Sequence, residues 1–371
     1  MRIAIDARAA AEVPAGRGRY VRELLNGLAR LDGDHEFLLF AREVWAEASL
    51  DQRFQWRTVA AGGLAWPLST GNQMSRSADV ALACTSYAMT LPLRIPCACI
   101  VWDFAAFDRR LQAPRGSLLE RLTLPIAVRR AGAFIAISES TRRELEQRFP
   151  ATRSRTSVAH PGTDARFSSV ARDDDAAVLA RHGLNHPYVL VTGTLEPRKN
   201  LPRLIEAFAG LEREVREDTV LVLVGATGWQ TDRTFAALSE HGHLVQALGY
   251  IPDAELACVY RHAKLLCYMS LYEGFGIPVL EAMSSGTAVL TSAVASMPEV
   301  GGDAARYADP LDVADIRRGL RELLTDGDLR ARCGAAGIAR ATSFDWTASA
   351  GIVLATLAGL AERGRFTATS E

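Results

Sequence analysis

Two kinds of apolar pattern alternate along the chain. Short runs of branched aliphatic residues, "RIAID", "EFLLFA", "DVALA", "CACIVW", "AFIAIS" and "TSVAH", are followed by "YVLVTG", "TVLVLVG", "LVQALG", "KLLCYM" and "AVLTS". These runs lack strict in–out alternation, as expected for parallel strands covered on both faces. Between them, segments such as "RYVRELLNGLARL" and "NLPRLIEAFAGL" repeat apolar residues at helical spacing and supply the covers. The rhythm predicts βαβ units, and so an α/β fold of two doubly wound Rossmann-like domains.

The pattern breaks once, in "RFSSVARDDDAAVLARHGLNHP". An N-terminal domain over 1–168, a linker over 169–186 and a second domain over 187–345 follow, with a C-terminal helix over 346–371 expected to pack back on the first domain. The length of 371 residues, 49% hydrophobic and 23% charged, suits two globular domains. No repeat or low-complexity tract interrupts them.

Charge changes the picture only slightly. The net charge is −1, yet residues 1–165 hold 22 Arg against 17 acids and the remainder is acidic by six. So small and diffuse an excess argues against nucleic acid as a partner. One stretch, "RRLQAPRGSLLERLTLPIAVRRAGAF" (109–134), mixes arginine with an apolar face. It reads either as an Arg-bordered core helix or as a surface that meets anionic lipid. No apolar run of membrane-spanning length is expected, and "MRIAIDARAA" carries no apolar signal core, so the expected location is cytoplasmic, with peripheral contact at the inner membrane face left open. The six cysteines form no C-x-x-C pair and read as reduced packing residues. Lysine occurs only at 199 and 264, so each is conspicuous.

In open α/β sheets chemistry collects beyond the carboxyl ends of strands. Four such loops stand out. In "DARAAAEVPAGRGRYVREL", Gly16 and Gly18 precede a helix whose free N–H groups suit an anion. In "GTLEPRKNLPRL", Arg198 and Lys199 stand at a helix entrance with Asn200 as N-cap, a place for a diphosphate. "VWDFAAFD" ends a strand at Trp102 and Asp103. In "SLYEGFGIPVLEAMSSG", Glu273 lies beside Gly274 and Gly276, and Glu281 is expected in the first turns of the following helix, where an anion is stabilised and can grip vicinal hydroxyls. Taken singly, each has a bland alternative: a turn, a solvated basic pair or an exposed acid. The D-x-D string at Asp173–Asp175 reads as solvated linker, and His241-x-His243 and "HGLNH" lack ligand companions, so no metal is expected.

Together the loops resemble the family 4 retaining glycosyltransferases of the GT-B fold, over nearly the whole chain. The family's E-x7-E motif appears as "EGFGIPVLE", its basic loop as "GTLEPRKN", its glycine loop as "GRGRY" and its domain-one serine as Ser138 in "ISEST"; "HPGTD", "SMPEVGGDAARYADP" and "FDW" also match. The resemblance implies two Rossmann-like domains facing across a cleft, with Glu273 contacting the donor sugar, Glu281 the ribose and Arg198 with Lys199 the diphosphate. It also implies Gly16, Gly18, Gly274, Phe275 and Gly276 in donor binding, and Asp103 near the reacting centre. The nucleotide base is expected against Tyr250 or Ile251. Two positions depart from the family: Thr194 stands where many members have arginine, and Trp102 stands where histidine usually helps line the sugar subsite.

The implied reaction is metal-free, retaining transfer of a hexose from a nucleotide-diphosphate sugar to a glycan or lipid-linked acceptor in bacterial surface polysaccharide synthesis. The loop style is similar to bacterial polysaccharide mannosyltransferases, which favours GDP-mannose. Two alternatives remain: a 6-deoxy donor such as a rhamnose or fucose nucleotide, its methyl packed on Trp102, and a non-catalytic sugar-nucleotide-binding protein.

Overall fold

A computed structural model describes residues 1–13, 16–63, 65–108, 111, 117–229 and 231–368. The chain forms two compact units. Met1–Phe107, Ala113–Gly162 and Asp345–Glu371 make the first; Thr163–Phe344, with Asp108–Gln112, makes the second.

The first unit carries a parallel sheet of β1 (Arg2–Asp6), β2 (Glu36–Ala41), β3 (Phe54–Thr58), β4 (Val80–Ala83), β5 (Cys97–Val101), β6 (Ala133–Ala136) and β7 (Thr156–Val158). Its order is β3-β2-β1-β4-β5-β6-β7. The helices are α1 (Arg8–Glu12), α2 (Arg17–Arg30), α3 (Ala65–Ser77), α4 (Ser117–Arg130) and α5 (Glu139–Arg148).

The second unit repeats the plan with β8 (Tyr188–Thr192), β9 (Val220–Val224), β10 (Val245–Gly249), β11 (Leu265–Tyr268), β12 (Ala288–Ser292) and β13 (Arg306–Ala308), ordered β10-β9-β8-β11-β12-β13. Its helices are α6 (Asp175–Arg181), α7 (Leu201–Ala209), α8 (Arg213–Arg216), α9 (Asp232–His241), α10 (Asp253–Arg261), α11 (Ile277–Ser284), α12 (Met297–Gly301), α13 (Val313–Thr325) and α14 (Gly327–Ala341). In both sheets the order reverses direction beside the first strand, between β1 and β4 and between β8 and β11. Doubly wound folds take their ligands at that switch point.

Apolar spacing explains the covers. Leu201, Leu204, Ile205 and Phe208 form one stripe of α7, all but sealed from solvent among the β8, β9 and β11 side chains. Each such side chain contributes roughly 1.5 to 3 kcal/mol on burial. The last helix, α15 (Trp346–Ala368), returns to the first unit and lies along α2. Gly27 of α2 permits this approach, because a Cβ there would stand 2.6 Å from the Trp346 carbonyl oxygen.

Three expectations need correction. Residues 169–186 belong to the second unit instead of forming a linker, and α6 opens within the acidic run. Asp173 and Asp174 are exposed, but Asp175 is buried, accepting from Arg261 at 2.8 and 2.9 Å and bonded to His262 at 2.9 Å. Arg261 holds its carboxyl well below the usual range. Cys258 and His262 come near Asp175 at a spacing a metal ion would accept, but the Arg261 fork already neutralises that carboxylate. Finally, Gly327–Gly364 includes a window apolar and long enough to cross a membrane. Within it, Trp346, Ala350, Val353, Leu357 and Leu360 are buried core residues of the first unit.

Candidate active site

The carboxyl ends of β8 and β11 carry a compact charged cluster. Gly193 follows β8 at φ +119°, a backbone that favours glycine, and the Lys199 side chain passes it with Cε 3.1 Å from where a Cβ would sit. The chain then turns through a short 3-10 segment, Pro197–Lys199, into α7. Asn200 holds the N-cap position with φ 58°, but its side chain does not cap the helix as expected; Nδ2 donates to the Pro310 carbonyl at 2.6 Å and Oδ1 accepts from Arg203 at 2.9 Å.

Arg198 and Lys199 converge on Glu273. The Lys199 ammonium is 2.7 Å from Glu273 Oε1, and the Arg198 guanidinium bonds Oε2. Arg198 also donates to Glu196 at 2.5 and 3.0 Å and to the Tyr272 carbonyl at 3.1 Å. Tyr268, the last residue of β11, donates to Glu273 Oε1 at 2.8 Å and receives a bond from Lys199, whose ammonium stands 4.6 Å from the Tyr268 ring centre. All these side chains except Arg198 are buried. Burial by itself would raise the Glu273 carboxyl, but the two cations overcome it and hold the group at about 2. Burial lowers the Lys199 ammonium despite the opposing pull of Glu273.

The loop carrying Glu273 is clamped from α12. Ser296 Oγ lies 2.9 Å from the Glu273 carbonyl and 2.8 Å from the Phe275 carbonyl. Gly276 caps α11 at φ +105°, and a Cβ there would meet Met297 Cε at 2.3 Å. Phe275 packs edge-on against Phe344 at 5.5 Å. Glu281 is buried and lies beyond the first turn of α11, so the helix terminus is not what places its charge. Thr194 is exposed beside this cluster in sequence, while Tyr250 is 57% exposed just past β10. Ile251 turns inward at 1% exposure and can offer a base only its backbone.

The expected residues of the first unit collect at the carboxyl ends of its own sheet. Gly16 caps α2 at φ +57°, but Gly18 lies inside that helix, where a Cβ would fall 1.7 Å from the Val13 carbonyl oxygen. Close packing therefore requires glycine at position 18. Ser138 caps α5, accepting from the Thr141 amide at 3.0 Å, and is fully buried. Asp103 accepts from the Ala105 amide at 2.9 Å, and its charge acts on Arg17.

Trp102 is an interior residue. Its Nε1 donates to the Cys84 carbonyl at 2.8 Å, and its ring packs edge-on against Tyr20 at 4.9 Å, which packs likewise on Trp346 at 5.0 Å. At 7% exposure it packs as a core aromatic.

Sequence reasoning missed Tyr268 and Ser296 as members of the site. Tyr268 ends a predicted strand, which marks its position, and Ser296 opens "SMPEVGG", a matched motif whose clamping role only the fold reveals.

Known proteins resemble the chain over both units. Residues 14–167 match the model described as Glycosyltransferase Family 4, and residues 179–340 match Glycosyl transferases group 1. The O-antigen chain mannosyltransferase B of Escherichia coli is 43% identical over 162 residues, covering 43% of this chain and 42% of that protein. The serotype-specific mannosyltransferase WbdA of Escherichia coli is 30% identical over 231 residues, 61% of this chain and 28% of its own. The matches thus span less than half the length of these relatives. Among solved structures, HepE of Anabaena with UDP and glucose superposes with a TM-score of 0.77 at 19% identity, over 97% of this chain and 100% of that one. Sucrose-phosphate synthase of Thermosynechococcus elongatus superposes with a TM-score of 0.75 at 21% identity, over 99% and 100%. With both units matched by family models and both sheets in doubly wound order, the chain belongs to the family 4 glycosyltransferases and has their GT-B fold.

Proposed function

We propose that the chain is a retaining, metal-independent glycosyltransferase that moves a hexose, mannose in the first instance, from a nucleotide-diphosphate sugar to a glycan or lipid-linked acceptor in bacterial surface polysaccharide synthesis. The observation that carries this reading is the cluster of Arg198, Lys199 and Glu273 at the switch point of the second sheet. GDP-mannose is favoured because the relatives named above are mannosyltransferases.

Two cations beside the positive end of α7 suit the diphosphate, whose charge grows as the glycosidic bond breaks. Glu273 keeps both cations in place and retains lone-pair capacity on Oε2 for a sugar hydroxyl. The donor bond loosens towards an oxocarbenium-like ion. The acceptor hydroxyl enters on the face the nucleotide leaves, so the enzyme needs no nucleophile of its own. Glu281 holds the ribose, and Tyr250 lies near the base. The inward packing of Trp102 supports a hydroxylated donor over the 6-deoxy alternative.

A membrane role rests on α4. Leu118, Leu122 and Ile126 are 61%, 61% and 37% exposed along one face, with Leu119 at 41% beside them, and Arg129 and Arg130 end the helix. Arg109, Arg110 and Arg115 of the same basic stretch lie outside the described residues. Such a face suits peripheral contact with an anionic membrane, consistent with cytoplasmic work at the inner face. Flotation with anionic vesicles at low salt tests it; no lipid-dependent co-flotation removes the membrane from the proposal.

For the reaction, a thermal-shift screen of GDP, UDP and dTDP names the nucleotide, since binding raises apparent stability by RT ln(1 + [L]/Kd). Product analysis with the matching sugar nucleotide then decides. Binding without turnover on any mannoside acceptor would leave a sugar-nucleotide-binding protein.

A further inference from the structure

The switch point of the first unit, between β1 and β4, holds a cavity of 230 Å³ lined by Arg8, Ala9, Glu12, Val13, Arg17 and Thr85. That is below the roughly 300 to 1,000 Å³ that encloses a drug-sized molecule, so it suits a single acidic group with part of its carrier. The charges around it are unequally matched. Glu12 is taken by Arg42, with one contact at 2.7 Å and a second bond beside it, and Arg17 bonds Glu120 at 3.0 Å and lies in the field of Asp103. Arg8 makes no ion pair among the described residues; its one side-chain hydrogen bond there is a long one of 3.4 Å to Thr85 Oγ1.

Arg8 is nevertheless held in place. Its guanidinium lies over the ring of the fully buried Trp66, 5.3 Å from the centroid. Thr85 is fixed in turn by Asp6, which is fully buried, with Oδ2 accepting from the Thr85 hydroxyl at 2.5 Å and from its amide at 3.3 Å. The Asp6 charge acts on Arg8, and burial pushes its carboxyl up. Nearby, α2 opens with Arg17 and Arg19 and no acid in its first turn, an arrangement that places cations at the positive end of a helix dipole.

A preorganised arginine fork to which no carboxylate is bonded among the described residues, lining a cavity where ligands of this fold bind, is the arrangement that recognises a planar or tetrahedral oxyanion. We propose that this cavity binds the acidic group, phosphate or carboxylate, of an anionic acceptor, with Arg8 as its principal receptor and Arg17 as its second. The inference rests on the glycosyltransferase reading for the word acceptor; the anion site stands on the cavity alone.

The test is ligand-observed NMR on the full chain in the presence of GDP, titrated with glycerol 3-phosphate, glucuronate and uncharged glycerol. Glycerol 3-phosphate or glucuronate, whichever class the site takes, should bind while glycerol does not. Arg8→Gln and the charge-keeping Arg8→Lys should weaken that binding about tenfold or more, as expected for loss of a charge-assisted fork. Arg94→Gln, at an exposed position outside the cavity, should leave it unchanged. Equal behaviour of glycerol and both acids, or binding unaltered in both Arg8 variants, overturns the proposal. Failure of the donor reading shows separately, as absence of GDP binding in the same samples.

Discussion

The buried Glu273 carboxylate is the keystone of the charged cluster, and replacing it with glutamine keeps its shape while removing its charge. A carboxyl held at about 2 against an ordinary value of 4.5 is more firmly ionised in the folded chain by about 3 kcal/mol, at about 1.4 kcal/mol per tenfold. Part of that is offset, because burial holds the Lys199 ammonium below its ordinary value. We therefore expect Glu273→Gln to cost about 2 to 3 kcal/mol at pH 7, consistent with the cost of leaving one partner of a buried pair alone. The sign with pH follows. A depressed carboxyl contributes its stability in full above 4.5 and loses it as pH falls towards about 2, so the wild type should lose stability across that window and the variant should lose less. With two units in the chain, a single melting point mixes their transitions. Hydrogen exchange in peptides spanning 265–284, followed in increasing urea, reads the second unit alone. A glutamine variant within about 0.5 kcal/mol of wild type at pH 7, the range of ordinary surface substitutions, or one with an unchanged acid response, would refute the cluster as the source of the carboxyl's depression.

Much of the fold was legible in the sequence because parallel strands buried on both faces leave continuous apolar runs. Eleven runs marked strands, and β1, β2, β4 to β7 and β8 to β12 occupy them. The two strands that pattern reading passed over are edges. In β3, "FQWRT", only Phe54 is buried, and β13, "RYA", is three residues long. An edge strand needs one neighbour and little burial, so its sequence need not be apolar.

The site divides along the same line. Residues fixed by local sequence, such as Gly276 at positive φ and the basic pair before α7, sit where the motifs put them. Contacts between distant segments were not legible: that Arg198, Lys199 and Tyr268 share one carboxylate depends on β8 and β11 being neighbours across 75 residues. The same blindness made Asp175 look like a solvated linker acid, since its partner Arg261 is 86 residues away. It also hid a packing constraint on Gly18, the Val13 carbonyl folding back on α2.

Lys199→Ala should reduce kcat more than donor binding, because diphosphate charge peaks in the transition state; equal loss of nucleotide affinity and kcat/KM with kcat unchanged would make Lys199 a ground-state anchor. Glu281→Ala should weaken nucleotide binding by about 1 to 3 kcal/mol in calorimetry, the size of a lost charge-assisted bond. Gly276→Ala should destabilise the second unit in the same hydrogen-exchange assay by about 1 to 3 kcal/mol, since φ +105° and Met297 Cε at 2.3 Å both oppose a Cβ. Trp102→His separates a core role from a sugar-binding one, because the ring fills the space between Tyr20 and the Cys84 carbonyl. Removing that volume from a packed interior should cost the first unit about 2 to 4 kcal/mol, as other large-to-small core changes do, with donor preference across a panel of hydroxylated and 6-deoxy sugar nucleotides unchanged. A variant that keeps wild-type stability but shifts towards hydroxylated donors would show that the ring meets the sugar after all.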